Sequence, residues 1–488
     1  MSPGRLGVPA GLAALGLALP GLIGGSAGGG SRPETAPTAE APAATAGGAV
    51  NGIPAAELAR MRREAPLAEA ALRIRHAAGD GTAPGFAGVA LSRAGDGVDV
   101  FWRGTPSGAV RHEIDASART VRVTVRAAKY SLAELASAAA RVASADRTAT
   151  ASYPVSGAGL IVESPDPAKT RARLPRLPVG VTLSRSAAAP KRAAAAASAV
   201  TLPSPSRQDD ARPAWGGAHI INYNAAGGNS GWQTRDSTGK VQDADTQFHC
   251  TSGFPVRNPL TGVEFLLAPA TCGKPRDLFV NPNGVAVNDS LAGDNTLVSP
   301  VPGVMLLRPV GGAEPFLYTG DSWSDTGWSI ERASSLVAGQ HVCVTGAQTG
   351  VQCGGTVSDT LGNRDGWIPN STGGSSWLGS LTRVLLAEHS WYTLQNGTTC
   401  TVSPAPEDYG CLPYMGPGDV GATVFTVDGG TTTGVTIRGL TMRMEYPQGG
   451  SDENVQYVDV GDVMPMLKGF DNVFGTWLEL VTKYNDTP

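Results

Sequence analysis

No cysteine precedes position 250; all six, at 250, 272, 343, 353, 400 and 411, fall in the second half of the chain. Any disulfide framework therefore belongs to that half alone. Charge is sparse as well, at 16% Asp, Glu, Lys and Arg. The basic residues are scattered, with no run of five and no interleaved aromatics, which excludes a nucleic-acid-binding surface. After the first 27 residues no stretch of 18 consecutive apolar residues occurs, so no integral membrane association is expected. No spacing of His, Cys, Asp and Glu matches a zinc or calcium site, and no cofactor is expected. No GxG run follows a strand and opens a helix, so a nucleotide fingerprint is excluded too. Helical periodicity is nearly missing from the second half.

What is present points to β structure. The 488 residues suffice for two or three domains with a substantial core. Hydrophobic residues make up 41%, while 64 Gly and 36 Pro demand many turns and few long helices. The formal charge of -4 hides an asymmetry. Residues 1–212 carry 25 Lys and Arg against 16 Asp and Glu (+9); residues 213–488 carry 13 against 26 (-13). The two halves should attract one another. At the start, Arg5, an apolar stretch from Leu6 to Ile23 and the small residues Gly25-Ser26-Ala27 have the three-part form of a signal peptide at 1–27. The alternative, a membrane anchor, is disfavoured by Pro9, Pro20 and frequent Gly and Ala. Export leads to an oxidising destination, where six Cys form disulfides; 15 connectivities are open, consecutive pairing being the simplest.

Residues 28–80 are rich in Ala, Pro, Gly and Glu and are expected to be mostly disordered, apart from a short helix around Glu57 to Arg75. An α+β module is expected over 81–185. Gly97 to Trp102 and Thr120 to Val125 alternate as half-buried strands do, Ser131 and Glu134 fit a capping box before an Ala-rich helix to about Ala143, and Gly159 to Val162 reads as a further strand. Residues 186–212, with Lys191-Arg192 and Arg207, read as an exposed linker and a natural cleavage zone. From 213 to 488, short apolar runs alternate with Gly, Asn, Asp and Pro, which is the pattern of a sandwich or barrel.

Two stretches carry a resemblance. His249-Cys250-Thr251-Ser252-Gly253-Phe254 leads through Phe265 to Ala270-Thr271-Cys272, and Val342-Cys343-Val344-Thr345-Gly346 leads to Thr349-Gly350-Val351-Gln352-Cys353-Gly354. Gly416-Pro417-Gly418-Asp419-Val420-Gly421-Ala422 and Gly434 to Gly439 follow in order. In these motifs the second half resembles the secreted serine proteases of the streptogrisin and alpha-lytic type, over most of residues 213–465. The resemblance implies a mainly β, chymotrypsin-like double β-barrel, with Cys250–Cys272 as its first disulfide. Cys343–Cys353 reads as a disulfide rather than a thiolate pair, and Cys400 either pairs with Cys411 or stays free, since nothing follows Cys411. The 81–185 module is similar, through its Asp99-Val100-Phe101-Trp102-Arg103-Gly104 strand and Tyr130 to Leu135 helix start, to the pro-segment of that family. Such a pro-segment assists folding and is then removed, which makes it an intramolecular partner of the barrel.

The resemblance also places the catalytic roles, and the residues there cannot fill them. Its His position is Thr271, whose hydroxyl is no base near neutral pH; its Asp position is Gly303; its Ser position is Val420. The backbone amides of Gly418 and Val420 retain the form of an oxyanion hole. Asp419 is expected to keep a structural ion pair, and Arg438 to enter the primary specificity pocket. The expectation is an inactive, secreted protease homologue that binds a peptide, an inhibitor or another protease. Two alternatives stand beside it: an active trypsin-like serine endopeptidase with displaced or misaligned residues, and a structural exoprotein whose module is never removed. His219, His249, His341 and His389 are the candidates for a relocated base, although none stands at the family's position. Glu388-His389 is ordinary polar pairing on a loop, and the Trp-rich stretches at 321–325 and 373–377 read as decorated barrel loops.

Overall fold

The computed structural model describes residues 49–50, 53–185 without 147, 195–196, 206–210, 213–223, 232–233, 248–273, 277–282, 286–287, 304–320, 324–347, 349–363, 367–369, 375–377, 381–386, 392–393, 399–400, 415, 417–427, 434–445, 456–469 and 476–484. The signal peptide at 1–27, Gly303, Cys411 and Glu388-His389 lie outside them.

The first described helix falls where a short helix was expected, around Glu57 to Arg75, and most of the stretch before it lies outside the described residues. Helix α1 spans Ala55–Ala77, with Glu57 in its first turn and Arg75 and His76 in its last, which complements the helix dipole. Pro66 sits inside it and marks a division of labour. Before Pro66, Leu58 and Met61 join the core of the second half, with Phe254, Trp328 and Phe425. After it, Leu67, Ala71 and Ile74 join a separate core with Phe86, Val100 and Trp102. Its two ends face different partners, so no single apolar stripe runs its length.

The module is two copies of one plan. In the first, α1 is followed by the antiparallel pair β1 (Phe86–Leu91) and β2 (Gly97–Trp102), helix α2 (Gly108–Ser117) and strand β3 (Arg122–Ala127), which lies parallel to β2. In the second, α3 (Leu132–Ala145) is followed by the antiparallel pair β4 (Thr150–Pro154) and β5 (Leu160–Ser164), helix α4 (Pro167–Arg173) and β6 (Val181–Arg185), parallel to β5. Each parallel pair needs its crossover helix. The α3 capping box is formed as expected: the Glu134 amide donates to Ser131 Oγ, and the Ser131 amide donates to Glu134 Oε2 at 2.8 Å.

Strands dominate the second half. Among them are β7 (His219–Asn222), β8 (Phe248–Thr251), β9 (Glu264–Pro269) and β10 (Val304–Leu307). Six more follow: β11 (His341–Gly346), β12 (Gly350–Asn363), β13 (Leu381–Leu386), β14 (Thr423–Thr426), β15 (Gly434–Glu445) and β16 (Gln456–Asp462). These six pair antiparallel in a circuit, β11 to β12, β13, β16, β15, β14 and back to β11. The circuit returns to its first strand, and the same sheet runs on beyond it from β12 and β15. The disulfides Cys250–Cys272 and Cys343–Cys353 are formed; Cys400–Cys411 falls outside the described residues. Among the described residues no helix is long and apolar enough to cross a membrane.

Module and barrel share a sheet. Strand β4 adds antiparallel to β12, from Thr360 opposite Pro154 to Asn363 opposite Ala151. The supposed linker is a correction: Ser206, Arg207, Gln208 and Asp209 are all buried. Arg207 is fully enclosed and donates to Thr345 Oγ1 at 2.7 Å and to the Gly346 carbonyl at 2.6 Å. Its amide donates to the Ser324 carbonyl. A basic residue in a polar, Ser- and Pro-rich stretch reads as exposed; here it is enclosed because distant barrel carbonyls and hydroxyls accept its protons.

Candidate functional site

The turn Pro417 to Gly421 is anchored to three elements. The Thr251 amide at the end of β8 donates to the Val420 carbonyl at 2.8 Å, and Thr251 Oγ1 donates to the Gly418 carbonyl at 2.9 Å. Thr251 Oγ1 in turn accepts from the Ala347 amide just past β11. From β15, Thr441 Oγ1 donates to the Asp419 carbonyl at 3.0 Å, and its own carbonyl accepts from the Gly421 amide at 2.9 Å. Gly421 has φ of +97°, and a Cβ there would stand 2.1 Å from the Thr251 carbonyl. Only glycine fits. Asp419 is fully buried; Thr349 donates to it through its hydroxyl at 2.9 Å and its amide at 3.3 Å. These neutral donors help to hold the carboxylate.

The loop after β9 comes to the same place. Cys272 is bound to Cys250, the neighbour of Thr251, and its Sγ lies 4.0 Å from the Val420 carbonyl. Val420 packs on the cluster that holds Cys250, Ala268, Cys272 and Met305. Thr271 is 4% exposed, and its Oγ1 has no hydrogen-bond partner. Gly303 is not described, but Val304 beside it starts β10 and pairs with Pro269 in β9, so that strand runs up to the Thr271 loop. Cys272, next to Thr271, and Val420 are thus brought together.

Arg438 is not brought there. Strand β15 meets β14 with Leu440 opposite Thr423 and Thr436 opposite Thr426, so the residue beside the turn is Thr441, three positions further on. The Arg438 side chain runs the other way: Nε donates to Thr426 Oγ1 at 2.9 Å, and Nη1 to the Ser335 carbonyl at 3.2 Å. It lines a cleft of about 500 Å³ against α1, with Glu69, Leu72 and Arg332.

Behind the turn lies a buried polar network that the sequence did not reveal. His219 Nε2 and His249 Nδ1 are 2.8 Å apart, and His219 Nδ1 is 2.7 Å from Gln208 Oε1. Burial, then the charge of His249, hold the His219 imidazole well below its usual range. Nearby, Tyr318 donates its hydroxyl proton to Asp210 Oδ1 at 2.8 Å, and the Trp215 amide donates to Oδ2 at 3.0 Å. Burial pushes the Asp210 carboxyl up to about 7 despite those two bonds. Burial, with the Asp210 charge next, also raises the Tyr318 phenol. His341 Nδ1 lies 2.6 Å from buried Glu64 of α1. His219 and His249 sit 30 residues apart and Asp210 and Tyr318 sit 108 apart, with no local pattern to expose them. Among the described residues no three His, Cys, Asp or Glu side chains gather as a metal site.

In its closed six-stranded circuit, its disulfides and its glycine turn, the chain resembles the chymotrypsin-fold serine proteases. No protein-family description matches the chain, and no curated protein matches it. Among solved structures it is similar to Thermobifida fusca Protease A, 17% identical over 48% of this chain and 92% of that one, with a TM-score of 0.29. It is also similar to Nocardiopsis Protease, 18% identical over 48% and 93%, TM-score 0.30, and to Cellulomonas bogoriensis chymotrypsin, 17% identical over 48% and 91%, TM-score 0.28.

Proposed function

We propose that the chain is an exported homologue of serine proteases that has lost peptide hydrolysis and acts by binding. The seating of Val420 carries this reading. It occupies the turn held by Thr251 and Thr441, at the place where hydrolysis needs an attacking oxygen, and offers only an isopropyl group. Thr271 beside it brings a hydroxyl rather than a base. The described histidines are engaged elsewhere: His219 uses both ring nitrogens on Gln208 and His249, and His341 uses Nδ1 on Glu64.

What remains suits recognition of an extended peptide, as part of an inhibitor or of another protease. In this reading the Gly418 to Val420 turn keeps the form of an oxyanion hole, which would meet a peptide carbonyl. Two disulfides and the apolar leader-like stretch support export. The test is fluorophosphonate labelling of the secreted protein. No serine is expected to label in the natural chain, and labelling of any serine overturns the reading in favour of an active endopeptidase. In the triple variant Thr271→His, Gly303→Asp, Val420→Ser, labelling is expected at position 420.

A further inference from the structure

We infer that the module at 55–185 is a permanent part of the folded barrel and is not released by a cut between Arg185 and Ser206. This holds whether or not the cleft cuts peptides. The first ground is the core itself. Leu58 and Met61 of α1 are 5% and 2% exposed inside the cluster built from Phe254, Trp328, Phe425 and the Cys343–Cys353 bridge. Met61 Sδ lies 4.0 Å from Cys343 Sγ. Cys343 and Phe425 alternate along their strands with Val342, Val344 and Val424 of a separate cluster, so α1 covers the face of the circuit opposite that cluster, and a barrel without it bares apolar side chains that are now buried.

The second ground is the set of polar contacts that only the module can satisfy. Buried Glu64 accepts from the His341 amide at 2.8 Å and lies 2.6 Å from His341 Nδ1. At the far end of α1, Arg75 donates to Ser335 Oγ at 3.0 Å and to the Leu336 carbonyl at 3.4 Å, and lies 3.8 Å from Asp462. The Leu91 amide of β1 donates to the Ala338 carbonyl at 2.8 Å. The loop from Ser335 to Gln340, which leads into β11, is thus held from both ends by module groups. Departure would leave these barrel groups without the partners that compensate their burial.

The third ground is the continuous sheet. Strand β4 pairs with β12, a member of the closed circuit. Helix α1 belongs to the first repeat of the module and β4 to the second, so both repeats are attached independently. The segment 206–210 is already seated in the barrel with Arg207 enclosed, so no newly cut terminus is required for the barrel to close. In the proteases this chain resembles, the pro-segment is discarded; here the equivalent module supplies core.

The experiment uses the full chain with a site-specific endoprotease sequence inserted after Pro190. Once a denaturing gel shows complete cutting, the sample is run on a size-exclusion column, concentrated and then diluted. The two fragments are expected to elute together, one to one, with the near-ultraviolet circular dichroism of the uncut protein. Separation of the fragments on the column overturns the inference, whatever the state of the barrel. A second measurement separates the fragments in denaturant and refolds the barrel fragment alone. It is expected to regain the native signal only when the module fragment is added back, and recovery without it equally overturns the inference.

Discussion

At Thr271 a buried hydroxyl without a partner is a standing cost that a ligand can relieve. Thr271→Val keeps the shape and removes the orphaned oxygen, so it should stabilise the protein by about 1 kcal/mol in urea unfolding, while weakening any peptide bound in the cleft. The network behind the turn sets the pH response. Asp210 is raised to about 7, so the native state holds its proton where the unfolded chain has lost it. Its stabilising contribution is complete below about pH 4 and is lost as pH rises to 7, at about 1 kcal/mol per pH unit. His219 is lowered by burial, so its contribution is present above about pH 6.5 and is lost as pH falls below that. The two slopes oppose each other between pH 4 and 6.5, and single variants separate them. In Asp210→Asn, melting temperature relative to the natural chain should climb steadily from pH 5 to pH 7; a flat difference would show that Asp210 is ionised throughout. Thr271 and Val420 were legible in the sequence because short motifs fix their neighbours. Asp210 and His219 were not, because their burial is imposed by residues far along the chain.

The elements differ in how much of their environment is local. The capping box at Ser131 and Glu134, the β2 strand and the turn before Ala422 were readable because each is governed by residues within a few positions. The 206–210 segment was misread because distant barrel partners, not its own composition, decide its state. The turn gives a graded test of this view. Gly421→Ala must accept both φ of +97° and a Thr251 carbonyl 2.1 Å from its Cβ, and should cost more than about 2 kcal/mol. Gly262 shares a positive φ of +70° but has open space around it. Gly262→Ala should cost only about 1 kcal/mol, the conformational part alone. Equal losses in the two variants, read by urea unfolding, would mean that the turn yields to make room.

For the whole molecule, the charge asymmetry of the sequence suggested that a basic half docks on an acidic one. The contacts are mixed in sign: Arg75 of the module approaches Asp462, while Arg332 of the barrel approaches Glu69 of the module at 4.0 Å. The Arg332–Glu69 pair, 52% and 61% exposed, contributes little. Apolar α1 residues shared between two cores contribute more, about 1.5–3 kcal/mol for each fully buried large side chain. Such sharing makes module and barrel one cooperative unit, which is the opposite of what a removable segment requires. Met61→Ala removes a side chain from the barrel core alone, at a cost of about 2–5 kcal/mol. If the bodies unfold together, hydrogen exchange should speed up by the same factor in β11 of the barrel and in β2 of the module, although Met61 belongs to the core of only one of them. If they open separately, the acceleration will be confined to β11. Because α1 continues without interruption from Met61 to Ile74, the barrel core and the module core are linked by one rigid element, and uniform acceleration is the expected result.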